Sequence, residues 1–322
     1  MNEYVKIAMA TRNKVSRVTL EQQKQILKLY NDVIKELSHK AAESGDKSLT
    51  QRWTLDYINQ LKAVKKDLRR EINKQIRESI KQGAKIGTET EQLIFKEIFR
   101  MANIDPGEHF TEMFSQVQDK VVKDIISGNL YKDNKTLSIR IWSYGEDFEK
   151  DIQYTVNQAI IEKKSASELA NDLEKFVREP AKRGTDWGLC YPSLKNKKVD
   201  YNAMRLARTS INHAYQNSSI QSSNMNPFVE GIKWHSAMVH GRTCELCIER
   251  ATEDKYGLGP GIFPKNDVPL DHANGLCTMI PYISRSLIEV ADELRDWIDG
   301  SNNSRLDEWY NEYGDYFAYK KI

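Results

Sequence analysis

Residues 55–80 read LDYINQLKAVKKDLRREINKQIRESI, with apolar side chains at Leu55, Ile58, Leu61, Val64, Leu68, Ile72, Ile76 and Ile80. Steps of three and four place them on one face of an α-helix. No glycine or proline interrupts the stretch, so it predicts a helix on the order of 40 Å long. Such a helix must bury its stripe against another helix, in this chain or a partner. Gly83 and Gly87 are expected to end it.

Helical patterning extends to both sides. Upstream, Ile26, Leu27, Tyr30, Val33, Ile34 and Leu37 form a similar stripe, broken at Glu43-Ser44-Gly45-Asp46. Downstream, helix is expected over Glu89–Ala102, followed by a turn at Asp105-Pro106-Gly107. Phe110, Met113, Phe114, Val117, Val121 and Ile125 make the next stripe, ended by Gly128-Asn129. Segments 135–144 and 149–163 also read as helix. Ser165 stands three residues before Glu168, the spacing of a capping box, and opens a helix through Val177. Residues 1–178 are therefore expected to be a helical N-terminal region.

Residues 179–199 change in composition. They are rich in Gly, Pro, Lys and Asn, and predict a connector. Cys190 within it reads as a buried small hydrophobe. Helix is expected again from Asp200 to about Ser223, then a strand over residues 229–236. Further short strands, such as Thr278–Ile283, precede an acidic helix over Leu287–Ile298. The tail, 286–322, mixes acidic residues with Trp309, Tyr310, Tyr313, Tyr316, Phe317 and Tyr319. These rings can dock on a partner or pack on the chain's own helices. The fold class expected is mainly α, with a small α+β C-terminal module at 200–285.

Composition narrows the classes. A chain 39% hydrophobic and 29% charged, with mean hydropathy -0.65, has a thin core and no run of about 18 apolar residues that could cross a bilayer. Met1–Ile7 has no apolar stretch of a secretory signal, so a reducing cytoplasm is expected. The net charge of +2 is uneven: residues 1–82 hold 18 Lys/Arg against 10 Asp/Glu, whereas residues 289–322 hold 4 against 9. Lys62, Lys65, Lys66, Arg69, Arg70, Lys74, Arg77 and Lys81 recur at helical spacing. They are candidates for contact with DNA or an acidic partner. The alternative is a solvated face neutralised by Asp67, Glu71 and Glu78.

Three of the four cysteines fall close together: Cys244 and Cys247, then about two dozen residues, then His272 and Cys277. Two pairs of thiolate or imidazole ligands separated by a loop suit a tetrahedral Zn²⁺. Four protein ligands leave no open position, so the ion would hold a small fold together rather than do chemistry. A metal-free reduced cluster, a disulfide, and a catalytic zinc with one residue not ligating are the alternatives. His235 and His240 lie near enough in sequence to orient the ligands. His39, His109 and His213 read as ordinary helix or surface residues.

Residues 200–283 carry, in order, Arg205-Leu206-Ala207-Arg208-Thr209, Gly231-Ile232-Lys233-Trp234, Gly241-Arg242-Thr243-Cys244-Glu245-Leu246-Cys247, Gly261-Ile262-Phe263 and Pro269 through Cys277. This ordered set resembles the phage Mu F-like minor head proteins, the family named for phage head morphogenesis. The likeness covers about a quarter of the chain. Ser210 stands where the family has an acidic residue, and His272-Ala273-Asn274-Gly275-Leu276-Cys277 replaces its His-Pro-Asn-Cys-Arg-Cys ending. The resemblance implies a virion protein present in few copies, near the portal in the head interior after assembly in the host cytoplasm. It implies contact with the portal protein, with scaffold or major capsid protein and packaged DNA as further partners, and a role in head assembly, DNA packaging or delivery. Arg205, Arg208, Thr209, Trp234 and Arg242 are then expected to brace the fold.

No catalytic constellation stands out, and an enzyme is not expected. One alternative is a His-Asn-His-type nuclease built on Asp271, His272 and Asn274 with His235 or His240. Another is a DNA-binding module without catalysis. No membrane partner is expected.

Overall fold

The computed structural model describes residues 3–45, 49–178, 201–236, 243–273 and 275–318. It is mainly helical, with one small antiparallel sheet. The helices are α1 (Glu3–Ala42), α2 (Gln51–Ala102), α3 (Ser115–Ser127), α4 (Leu137–Ile161), α5 (Ala166–Arg178), α6 (Tyr201–Asn224), α7 (Glu245–Thr252), α8 (Leu287–Ile298) and α9 (Ser304–Tyr313). The strands are β1 (Gly231–His235), β2 (Ile262–Phe263) and β3 (Thr278–Tyr282). The connector expected at 179–199, and Cys190 within it, lie outside the described residues.

α2 is one helix of 52 residues and does not stop at Gly83 or Gly87. Those glycines serve packing instead. A Cβ at 83 would sit 2.8 Å from the Ile211 carbonyl oxygen, and one at 87 would sit 2.3 Å from that of Tyr215. The backbones of α2 and α6 approach through them. That contact offsets the roughly 1 kcal/mol that a glycine costs in a helix interior. Segments 135–144 and 149–163 likewise belong to one helix, α4, which continues through Gly145.

α1 and α2 repeat their buried positions every eleven residues. Tyr4, Val15, Ile26 and Leu37 are buried, as are Ala8, Thr19, Tyr30 and Ala41. α2 shows Tyr57, Leu68, Ser79 and Thr90 in the same relation. Eleven residues in three turns is about 3.67 per turn, close to the α-helix itself, so the stripe stays on one face over many turns.

The chain groups into two compact units, each made of separate stretches. One comprises Met1–Val18, Ile80–Ile125 and Thr209–Ile322, and the other Thr19–Ser79 and Ile126–Arg208. This grouping cuts across the division expected at 178, 200 and 286.

In the second unit, Ile26, Leu37, Leu61, Leu68, Ile72, Ile76, Ile152, Val156, Leu169 and Leu173 are buried. Polar pairs fix its register. Gln22 bonds Ser79 and Gln75, the Tyr57 hydroxyl donates to the Leu37 carbonyl at 2.8 Å, and Lys65 pairs with Glu149. The capping box read from Ser165 and Glu168 is present, with bonds of 2.8 and 3.3 Å. Gln23 is fully buried and neither atom of its amide has a partner among the described residues. An unsatisfied buried amide costs more than an apolar group of similar shape. Gln23→Met should therefore stabilise the chain by about 1–2 kcal/mol, read as a higher urea midpoint with an unchanged slope.

In the first unit the aromatic tail closes the core. Trp309 stacks on Phe95 (5.8 Å, 9°), Phe317 meets Trp309 edge-on at 4.8 Å, and Phe99 meets Phe110 edge-on at 5.0 Å. The Trp309 indole donates to the Met225 carbonyl at 2.9 Å. Of the two readings left open for the tail, its rings through Phe317 pack on the chain's own helices. α8 begins with a second capping box, Ser286 with Glu289.

Glu91 is also buried in this unit. It accepts hydrogen bonds from Ser223 Oγ (2.6 Å) and Asn226 Nδ2 (2.8 Å). Burial pushes its pKa above the usual carboxylate value against those bonds and the Lys265 charge. A raised folded-state pKa means the unfolded chain releases this proton first. The ionised group therefore works against the fold as pH rises above the unfolded value through the folded one. The expected result is that Glu91→Gln gains stability relative to the parent as pH rises from about 4 toward 7, measured by urea unfolding across that window.

Candidate metal centre

The sheet runs β2-β1-β3, all antiparallel, with Trp234 opposite Met279 and His235 opposite Thr278. It places Cys277, which immediately precedes β3, against the core. Trp234 is fully buried and lies beneath the Arg250 guanidinium, 4.7 Å from its ring centre.

Cys244 caps the N-terminus of α7, and its carbonyl accepts the Cys247 N–H at 3.0 Å. That single turn brings both sulfurs to one side. Cys244 is exposed, whereas Cys247 and Cys277 are buried. The ligand atoms of Cys244, Cys247 and His272 lie within 4.8 Å of one another, and His272 Nε2 is 3.4 Å from Cys244 Sγ. The Cys277 sulfur groups with Cys247 and the Asp271 carboxylate, again within 4.8 Å. Cys247 is common to both groups. The four residues expected as ligands are thus gathered in one place and could hold a metal ion.

The imidazole is presented for ligation. His272 Nδ1 donates to the Ala273 carbonyl at 2.9 Å, which turns Nε2 toward the sulfurs. His235, near enough in sequence to orient the ligands, is exposed at the end of β1, and the Nδ1 partner of His272 is the Ala273 carbonyl. His240 and Arg242 lie outside the described residues.

Electrostatics distinguish the two cysteines of the turn. Cys244 is held below the ordinary thiol value: burial opposes this, but the Cys247 N–H and His272 outweigh it. The Cys247 thiol is pushed well up, first by burial and then by Cys244, Cys277 and Asp271. His272 is raised despite its burial by the Ala273 carbonyl, Asp271 and Cys244. A divalent cation would take the place of the protons shared in this cluster, so its affinity must fall with pH.

The residues that hold the ligand loop include Asp271, read from the sequence only as part of a nuclease alternative, and Arg12, Asn212 and Gln216, which the sequence did not single out. Asp271 is 3% exposed; its Oδ2 accepts from Gln216 (3.2 Å) and Asn212 (3.4 Å), and its Oδ1 from the His272 N–H (2.9 Å). His213 Nε2 donates to the Asp271 carbonyl (3.0 Å), and Gln216 also donates to the Cys277 carbonyl (2.7 Å). Buried Arg12 donates to Asn212 Oδ1 (2.8 Å) and the Leu276 carbonyl (3.3 Å). Hydrogen-bonding residue types on a helix carry no signal of what they will meet about 60 or 260 residues away.

The remaining expected residues lie elsewhere. Arg208 is buried and Thr209 half-buried in α6, whereas Arg205 is exposed. On α2, Lys62, Lys66, Arg70, Lys74 and Lys81 are exposed. Arg70 pairs with Asp67 (3.2 Å), Arg77 bonds Asn73 (2.6 Å), Lys65 is taken up by Glu149, and Arg69 is half-buried. The outer members form a solvated basic face, and the inner ones serve the fold.

Comparison with known protein families, with curated proteins and with solved structures finds no match to this chain.

Proposed function

We propose that this chain is a minor head protein of the Mu F-like type, with a Zn²⁺ ion fastening the Cys244–Cys247 turn to the His272–Cys277 loop. The observation that carries the reading is the convergence of Cys244, Cys247, His272 and Cys277. They converge in the stretch whose motif order resembles that family. Three sulfurs and one imidazole suit zinc over harder cations, and a complete protein ligand set suits a structural ion. Asp271 supports the non-catalytic reading, because it is buried with both oxygens hydrogen-bonded and is not offered to a phosphodiester.

In this reading the protein joins the head in few copies at the portal. The exposed Lys62, Lys66 and Lys74 of α2 would meet packaged DNA or an acidic surface of the portal, scaffold or major capsid protein. Quantitative mass spectrometry of purified phage particles and procapsids tests it. A few to a few tens of copies per particle, scaling with portal protein, is the expected result. Absence from both particles overturns the reading.

A further inference from the structure

We infer that Asp271 is the positioning residue of the metal centre: its buried carboxylate locks the loop carrying His272 and Cys277 onto α6, in the geometry that the ion requires. This rests on the metal reading of the site. It concerns a residue outside the four-ligand set.

Three observations combine. First, both carboxylate oxygens are engaged by neutral N–H donors, Asn212 and Gln216 on one and the His272 backbone on the other. Neutral donors orient a carboxylate without cancelling its charge. A carboxylate held this way on both oxygens is fixed relative to the loop and to α6, which suits it to orient the ligands. Second, the same carboxylate lies within 4.8 Å of the Cys247 and Cys277 sulfurs, so its position and theirs are coupled. Third, residue 275 is glycine with no positive φ to require it, yet a Cβ there would fall 2.0 Å from Asp271 Oδ2 and 2.2 Å from Cγ. The loop needs glycine at 275 because the carboxylate fills the space that any side chain would take.

The arrangement extends to α1 and α6. Asn212 donates to the Gly275 carbonyl (3.2 Å) as well as to Asp271, and is itself held by Arg12. Outer residues that fix the ligands of a metal commonly change its affinity about 10- to 100-fold when replaced. Asparagine at 271 offers one acceptor where the aspartate offers two. It must give up either the His272 N–H or the α6 amides.

The test uses the full-length chain, with Zn²⁺ affinity measured by competition against a chromophoric chelator. Asp271→Asn should weaken zinc about 10- to 100-fold. Saturated with Co²⁺, it should keep the parent's thiolate-to-cobalt absorption and ligand-field bands. Gly275→Ala should weaken zinc to a similar degree by displacing the carboxylate. Added to Asp271→Ala, it should cost little more, because no carboxylate remains to displace. Asn212→Ala leaves the loop sequence intact and should act in the same direction but less, which keeps the test open should Asp271→Asn fail to fold. Unchanged zinc affinity in Asp271→Asn overturns the inference. So does a changed cobalt ligand field, which would make Asp271 a ligand, or a Gly275→Ala cost that adds in full. A parent chain that binds neither ion defeats the metal reading beneath it and this inference together.

Discussion

Cys247→Ser should lose the metal and loosen much more of the chain than the loop around it. Cys247 is shared by both ligand groups and is 2% exposed. It belongs to the same continuous core as Trp234, Cys277, Phe95, Leu287 and Trp309. From the sequence alone, losing the clip would be expected to unfold residues 200–285 and leave the N-terminal helices intact. The shared core changes that expectation. Protection from protease should fall together over the 243–283 loops, α8 and α9, while the stretch Thr19–Ser79 keeps its own. Structural zinc contributes of order 10 kcal/mol in small domains that cannot fold without it. A larger unit with its own apolar core should lose less, though still about 3 kcal/mol or more, since loss of a metal is among the mechanisms behind the largest single-site effects. A zinc-specific chelator added to the parent should reproduce the variant's proteolysis pattern. If protection at α8 and α9 survives both treatments, the clip does not support that core.

Trp309→Ala is the second large effect. The ring is 6% exposed, stacks on Phe95, meets Phe317 and donates to the Met225 carbonyl. Removing a buried aromatic of this size costs about 3–5 kcal/mol. The lost hydrogen bond leaves the Met225 carbonyl to find water. The change should appear as a lower urea midpoint and as early cleavage after residue 300. Trp309→Phe keeps the stack without the indole N–H and should recover most of the loss. An alanine variant as stable as the parent would mean that the tail does not close this core.

The stripe at residues 55–80 and its partner near residues 26–37 sufficed to name a mainly α chain, because a three- and four-residue apolar period has few other solutions. The capping box at Ser165 and the helix at Leu287–Ile298 were legible for the same local reason: the signal and the structure lie within one turn of each other. So were the four residues that could hold a metal, since the thiol and imidazole types and their two close spacings belong to the chain itself.

Gly83 and Gly87 were misread because a glycine that ends a helix and a glycine that admits a neighbouring helix look alike in sequence. Only the approach of the Ile211 and Tyr215 carbonyls decides between them. The tail's aromatic rings were ambiguous for a similar reason. Burial depends on what faces a ring, and Phe95 lies more than 200 residues away. Lys65 shows the same limit from the charged side, where an apparent member of a basic face is taken up by Glu149.

Asp271 is the sharpest case. Read along the chain, it is one acidic residue beside a histidine. Tertiary structure makes it a buried carboxylate held by two amides of α6, with Gly275 making room for it. Sequence by itself determined the mainly helical class, the cap at Ser165 and the residue types that could hold a metal, because each is set by residues within a few positions of one another. Tertiary structure alone decided which glycines pack, which charges pair and how the ligand loop is held. Those contacts join segments tens to hundreds of residues apart, where periodicity and spacing carry no information.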